Sequence, residues 1–215
     1  MKYKTVIWDF NGTLLSDMQK SIDAMNTVLS RRRLPLIPDL EAFRKVFGFP
    51  VEDYYARIGL DFSKEPYKVY ADEWVELYSA GMFSCPLTKG ATEALDALRA
   101  AGVRQLILSA SERNRLIEHT KRLGIDGYFD EILGMDNVYA RGKAEIAREY
   151  AKRDRDGIFP AVLIGDTDHD YLCAKDIGCD CILFCGGFMS KERLLKLGAP
   201  VYDSLTDIVS KILTE

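Results

Sequence analysis

Residues 4–17 read KTVIWDFNGTLLSD. The opening KTVIWD is short, rich in β-branched side chains and continuously apolar over Val6-Ile7-Trp8, the pattern of a strand buried on both faces. It ends on an acid, Asp9, and the chain then turns through Asn11-Gly12-Thr13. A carboxylate at the end of a buried strand is costly unless it is paired or hydrogen-bonded. This stretch therefore sets both the fold and the chemistry.

The same kind of run recurs as RQLILSA (104–110), DEILG (130–134), AVLIGD (161–166) and DCILF (180–184). Helix-period segments lie between them: TEALDALRAAG, SERNRLIEHTKRLG, KAEIAREYAKR and DYLCAKDIG. Three end at or near Gly102, Gly124 and Gly178, as helix C-termini do. KERLLKLG and SLTDIVSKILTE close the chain as helices around a short VYD strand. Strand–helix alternation predicts an α/β fold, a Rossmann-like doubly wound parallel sheet with helices on both faces. The stretch from Asp17 to Ser84 is helical throughout, in DMQKSIDAMNTVLSRRR, DLEAFRKVF, VEDYYARIG and the run around YKVYADEWVELYSAGM. That is much longer than an ordinary crossover. It predicts a small all-helical cap domain inserted after the first strand, with residues 17–83 as the cap and residues 1–16 and 84–215 as the core.

Composition narrows the function class. The net charge of −4 offers no field for nucleic acid or an anionic membrane. Arg31-Arg32-Arg33 is the only dense basic run, and cations suit a helix C-terminus. The five cysteines show no CxxC spacing. With no signal-peptide pattern and no membrane-spanning run, reduced thiols and a cytoplasmic location are expected. Cys181 and Cys185 lie in the apolar run CILFC and are expected to be buried thiols.

In a parallel sheet, ligands bind at the carboxyl ends of the strands. Those ends hold Asp9, Ser109 and Asp166, the last followed by Thr167, Asp168, His169 and Asp170; Gly142-Lys143 opens the helix before AVLIGD. Gathered carboxylates repel, and a hard cation with oxygen ligands, Mg²⁺, relieves them. A metal, a lysine and a hydroxyl together suit a phosphoryl group, which a nearby carboxylate can attack. Gly12 permits close backbone approach.

In order and spacing, DFNGTLL, LILSAS, the RGK lysine and IGDTDHD resemble the four motifs of the haloacid dehalogenase superfamily, most members of which are Mg²⁺-dependent phosphatases. The tail DCILFCGGFMSKERLLKLGAPVYDSL resembles phosphoglycolate-phosphatase-like members. The resemblance implies Asp9 as nucleophile and metal ligand, a backbone carbonyl of Asn11 on the metal, and Ser109 bonding the phosphoryl group. It implies Lys143 neutralising nucleophile and phosphate, with Arg141 as a competitor for that role. Asp166 matches a direct metal ligand, and Asp170 matches the second acidic position of that motif, close to the metal and counted with the metal-site residues. Gly12 and Ala110 would lend N–H groups to the phosphate. Asp168, His169 and Asp17 are read as helix starts. The expected partner is a small phosphorylated metabolite, and no oligomeric state is implied.

One position departs. Phosphatases of the family that the chain resembles usually carry an aspartate where Asn11 stands, to protonate the leaving alkoxide and later activate water. A carboxamide has no proton to trade, and losing such a group costs about 10²–10⁴ in rate. A phosphatase with a substituted acid or good leaving groups is one reading. A phosphonatase-like hydrolase with Lys45 as a Schiff-base lysine is another. A catalytically impaired phosphate-binding regulatory protein is a third, and the retained Asp166 and Asp170 argue against a metal-free dehalogenase. In the cap, Arg44, Lys45 and the turn FGFPVED form the expected specificity element, with Tyr54, Tyr55, Trp74 and Tyr78 as cap-core aromatics. Asn11-Gly12 is also a dipeptide prone to deamidation.

Overall fold

The structure, a computed structural model, describes residues 2–135 and 143–214. In chain order the elements are β1 (Thr5–Trp8), α1 (Met18–Arg31), α2 (Leu40–Val46), α3 (Val51–Arg57), α4 (Tyr67–Ser79) and α5 (Ala91–Ala100). Then follow β2 (Arg104–Glu112), α6 (Arg113–Arg122), β3 (Glu131–Met135), α7 (Lys143–Arg153), α8 (Arg155–Ile158) and β4 (Ala161–Gly165). The chain closes with α9 (Asp168–Ile177), β5 (Asp180–Phe184), α10 (Lys191–Leu195), β6 (Val201–Tyr202) and α11 (Leu205–Thr214).

The six strands form one parallel sheet in the order β3-β2-β1-β4-β5-β6. β1 is central, and all four of its residues are buried, which is why it reads as an unbroken apolar run. Successive side chains alternate faces. Val6 and Trp8 pack on the side of α5 and α11, with Leu95, Leu98, Ile208 and Ile212. Ile7 packs on the other side with Ala147 of α7 and Ala174 of α9. The chain winds outward from β1 through β2 and β3, then crosses back to β4, so the switch in winding falls at the end of β1. Trp8 is level with Ile107 of β2 and Ile164 of β4. Asp9 just after β1, Ser109 within β2 and Asp166 just after β4 therefore lie side by side within two residues of that level.

The helices α1 to α4 share a second apolar cluster, including Ile22, Met25, Leu29, Phe43, Tyr54 and Tyr70, which Phe188 from the segment after β5 joins. Two side-by-side segments join them to the sheet: Ser16 N–H donates to Pro86 O (2.9 Å) and Thr88 N–H to Leu14 O (2.8 Å). Arg32 at the end of α1 bridges Glu65 and Glu73 at 2.6 and 2.8 Å, so the basic run does serve a helix end.

The helix before β5 starts at Asp168, as expected for the acids that precede the pattern DYLCAKDIG. Thr167 caps it, and Asp170 completes a capping box with the Thr167 backbone. All five cysteines are free, and Cys181 and Cys185 are half-buried rather than buried; the Cys185 thiol donates to Asp203. Among the described residues no helix is long and apolar enough to cross a membrane. Arg141 and Gly142 lie outside the described residues.

Candidate active site

Asp9 follows β1, and its N–H extends the ladder to Ile164 O at 2.8 Å. Asp166 follows β4, and Asp170 sits on the first turn of α9. Ligand oxygens of these three carboxylates lie within 4.8 Å of one another, and the residues are only 7 %, 0 % and 2 % exposed. The buried Lys143 ammonium, from the first residue of α7, donates to both Asp9 and Asp170. Asp170 Oδ2 also accepts from Thr167 Oγ1 (2.7 Å) and from the N–H groups of Thr167 and Asp166. Asp166 accepts from Thr13 Oγ1 (3.0 Å) and Phe188 N (2.6 Å).

Burial pushes Asp9 up to about 7 against the pull of Lys143, and the charge of Asp170 adds to the rise. Burial also raises Asp166, helped by the charges of Asp9 and Asp170. Asp170 goes the other way. Burial would raise it, but Lys143 and Thr167 outweigh burial and hold it below the ordinary value. Lys143 is raised for the same reason, because the two carboxylates outweigh its desolvation.

When all are ionised, three buried carboxylates facing one ammonium leave two negative charges. A divalent cation balances them, and an all-oxygen donor set suits a hard one. Glycines keep the space open around this cluster. A Cβ on Gly187 would lie 2.1 Å from Asp166 Oδ2, and one on Gly12 would lie 2.5 Å from the same atom. Gly12 also has φ +79°, which side chains rarely adopt. The residues present therefore fit a divalent metal.

Beside this cluster lies a second buried carboxylate. Asp17 stands at the start of α1, yet it makes no side-chain cap to that helix. Instead it turns back toward the core. Its Oδ1 accepts from Gly12 N (2.8 Å), and its Oδ2 accepts from Asn11 Nδ2 (2.8 Å) and the Tyr78 hydroxyl. Asn11 Nδ2 also donates to Tyr78 Oη (2.9 Å), while Asn11 Oδ1 accepts from Ser111 Oγ (2.8 Å) and Ser109 Oγ (3.4 Å). Both amide hydrogens and both carbonyl lone pairs of Asn11 are thus engaged. Asp17 has three donors and is 1 % exposed; burial raises it and those hydrogen bonds oppose the rise.

The haloacid dehalogenase-like hydrolase family matches the chain over residues 6–184. The chain belongs to this family. It is 25 % identical to a phosphoglycolate phosphatase of Caulobacter vibrioides, over 98 % of this chain and 91 % of that protein. A phosphoglycolate phosphatase of Rhodospirillum rubrum is 26 % identical over 95 % of this chain and 89 % of its own length. Among solved structures, a haloacid dehalogenase-like hydrolase of Streptococcus pneumoniae superposes with a TM-score of 0.82 at 21 % identity, covering 98 % of both chains. CbbY of Rhodobacter sphaeroides, solved with phosphate, gives 0.68 at 21 % identity, covering 94 % of this chain and 95 % of that one.

In this haloacid dehalogenase-like chain, the carboxylate cluster floors a cavity of about 530 Å³. Ser109 and Ala110 line it, along with Asp9, Asn11, Lys143, Asp166 and Asp170. Three expectations need correction. The Gly12 N–H does not face the cavity free, because it is held by Asp17 and by Leu15 O (3.0 Å). Lys45 does not line the cavity; it is exposed and pairs with Glu41 at 2.7 Å. Arg44 does not line it either, because its guanidinium donates to the carbonyls of Gly186 and Gly187 and so ties α2 to the loop after β5. The phase of α2 explains both. Phe43 is fully buried, and Lys45, two residues on, is turned to the far side.

Sequence reasoning missed Asp17, Tyr78, Ser111 and His169, all of which line the cavity. Ser111 carried a readable signal, since it lies two residues beyond Ser109 and shares its face of β2. The aromatics of α3 and α4 are core and lining at once. Trp74 stacks on Tyr78 with centroids 4.9 Å apart, and Tyr54 and Tyr55 also border the cavity.

Proposed function

We propose that this chain is a Mg²⁺-dependent phosphatase acting on a small phosphorylated metabolite through an aspartyl-phosphate at Asp9. The observation that carries this reading is the buried Asp9–Asp166–Asp170 cluster with Lys143 at the floor of the cavity. In this reading Asp9, Asp166 and the Asn11 backbone carbonyl hold the cation, and Asp170 orients Lys143 and the loop after β4. The bound cation would supply positive charge against the phosphoryl oxygens.

The chain's own residues do the rest. Asp9 attacks phosphorus in line and displaces the alcohol oxygen with its bonding electrons. The Lys143 ammonium and the Ser109 hydroxyl balance charge on the phosphoryl oxygens. Water then attacks the aspartyl-phosphate and releases phosphate, restoring the Asp9 carboxylate. Asn11 positions by hydrogen bonding and transfers no proton. Residues 17–83 act as a cap that closes over the site and keeps water away. A cytoplasmic location accords with the five free cysteines.

The phosphonatase reading needs a lysine at the cavity wall, and among the described residues Lys143 is the one lysine that lines it. The test is phosphate release from a panel of phosphorylated metabolites with Mg²⁺ and with EDTA, using the parent and Asp9→Asn. Release that requires Mg²⁺ and Asp9 is expected. Release that persists in Asp9→Asn would overturn the nucleophile.

A further inference from the structure

The cavity has two unlike halves. Its floor is ionic, and its wall toward α2, α3 and α4 is aromatic and aliphatic. Phe47, Phe49, Tyr55, Trp74, Val75 and Phe188 contribute to that wall. Phe49 and Val75 are 40 % and 41 % exposed, large apolar side chains left open at the cavity rather than packed away. Apolar surface of this kind rimmed by polar residues marks a binding site. Of the described residues between 17 and 83 that line the cavity, Asp17 is the single charged one, and it is engaged by three donors. The lining cations among the described residues are Lys143, held by two carboxylates, and Arg115 of α6, which is exposed and donates to Ser79 Oγ at 2.8 Å.

The second observation is independent. Asn11 stands where a proton donor for the leaving oxygen would stand, and all four of its hydrogen-bonding positions are occupied. An aliphatic alkoxide leaves poorly without a proton, because its alcohol approaches water in acidity, about 15.7. A phenol ionises near 10, as tyrosine does, and its anion leaves unaided far more readily. The apolar wall and the missing acid call for the same substrate.

We infer, resting on the phosphatase reading, that the substrate is a phosphate monoester of an aromatic alcohol, its ring seated on the aromatic wall. Asp9 Oδ forms the new bond to phosphorus. The bond between phosphorus and the aryl oxygen breaks, and its electron pair departs on the phenolate, which takes a proton from solvent. Water completes the cycle by hydrolysing the aspartyl-phosphate. Stacking and burial of the ring supply affinity that a small anionic leaving group cannot gain from this wall.

The test compares 1-naphthyl phosphate, glycerol 3-phosphate, 2-phosphoglycolate and acetyl phosphate with Mg²⁺. Acetyl phosphate separates the two arguments, because its leaving group is good but small and not aromatic. The expected result is a kcat/KM for 1-naphthyl phosphate about 100-fold above those for glycerol 3-phosphate and 2-phosphoglycolate, with a KM at least tenfold below that for acetyl phosphate. Trp74→Leu should narrow the naphthyl-to-acetyl ratio about tenfold. Val75→Arg, at an exposed position that tolerates a long side chain, should shift preference toward 2-phosphoglycolate by tenfold or more. Equal or better use of 2-phosphoglycolate by the parent, or ratios unmoved by both variants, would overturn the inference and leave the phosphatase reading standing. If no ester is hydrolysed, the phosphatase reading falls. Tryptophan fluorescence titration then decides the wall: 1-naphthyl phosphate binding tenfold tighter than inorganic phosphate supports it, and equal binding overturns it.

Discussion

Two sets of buried carboxylates share one cavity and are stabilised by different means. Asp9, Asp166 and Asp170 face one another, and Lys143 alone opposes them. Asp17 faces only neutral donors: the Gly12 N–H, the Asn11 carboxamide and the Tyr78 hydroxyl. The first set is left short of positive charge, which suits a cation, and it is where the proposed function puts the nucleophile. The second is fully hydrogen-bonded, which makes it a fastening between the turn after β1 and α4. The charge of the groups around them, and not burial alone, sets the two apart. The comparison also accounts for Asn11. Its amide is the group that Asp17 can accept from, and a carboxylate there would meet Asp17 head-on.

The largest expected effect tests the reactive set. Asp9→Asn should lower phosphate release by about 10⁴-fold or more, as removal of a nucleophile does. Steady-state kinetics with saturating Mg²⁺ checks it, with circular dichroism showing that the fold is kept. The next tests the fastening. Asp17→Ala leaves three donors without an acceptor in a buried site, and should cost about 3 kcal/mol in urea unfolding. A loss below about 1 kcal/mol would mean that water replaces the carboxylate without penalty.

The third prediction uses pH. In the metal-free protein Asp9 is raised to about 7 and Asp166 is raised as well, both chiefly by burial. The folded state then holds protons that the unfolded chain releases near pH 4, the ordinary carboxylate range. The stability they contribute is full below that range and is lost as pH rises through about 7. Asp170, held low mainly by Lys143, contributes in the opposite sense and loses its share only under more acidic conditions. Melting temperature without metal should therefore fall between pH 5 and 7.5, and Mg²⁺ should raise it more at pH 7.5 than at pH 5. An equal Mg²⁺ effect at both would contradict a cation site built on Asp9 and Asp166. The smallest effect belongs to the surface. Lys45→Ala should change kcat/KM less than about twofold and leave the urea midpoint unmoved, because the Lys45–Glu41 pair is exposed.

Much of this molecule is legible in its sequence, for a physical reason. A central parallel strand has no wet face, so β1 and β4 read as apolar runs that stop at acids. The residues at those stops, Asp9 and Asp166, are local to the signal. Asp17 and Tyr78 are not. They meet across 61 residues of chain, and nothing in the spacing shows that Asp17 turns back to the Gly12 turn instead of capping α1. Arg44 and Lys45 misled for a related reason. A helix so short offers few positions from which to read its rotation, and the buried Phe43 fixes it. Deamidation at Asn11-Gly12 was a reading of the free dipeptide. In the fold both the attacking Gly12 nitrogen and the Asn11 amide are held, so peptide mapping of aged protein should find Asn11 intact.

The most direct test of the account is the pH-dependent stability of Asn11→Asp beside the swap Asn11→Asp/Asp17→Asn. If Asp17 dictates the carboxamide at position 11, the single variant should lose about 2–3 kcal/mol at pH 8. It should recover much of that near pH 5, where the facing carboxylates can share a proton, and the swap should restore most of it at both pH values. A single variant as stable as the parent at pH 8, with a swap no better, would contradict the pairing of Asn11 with Asp17.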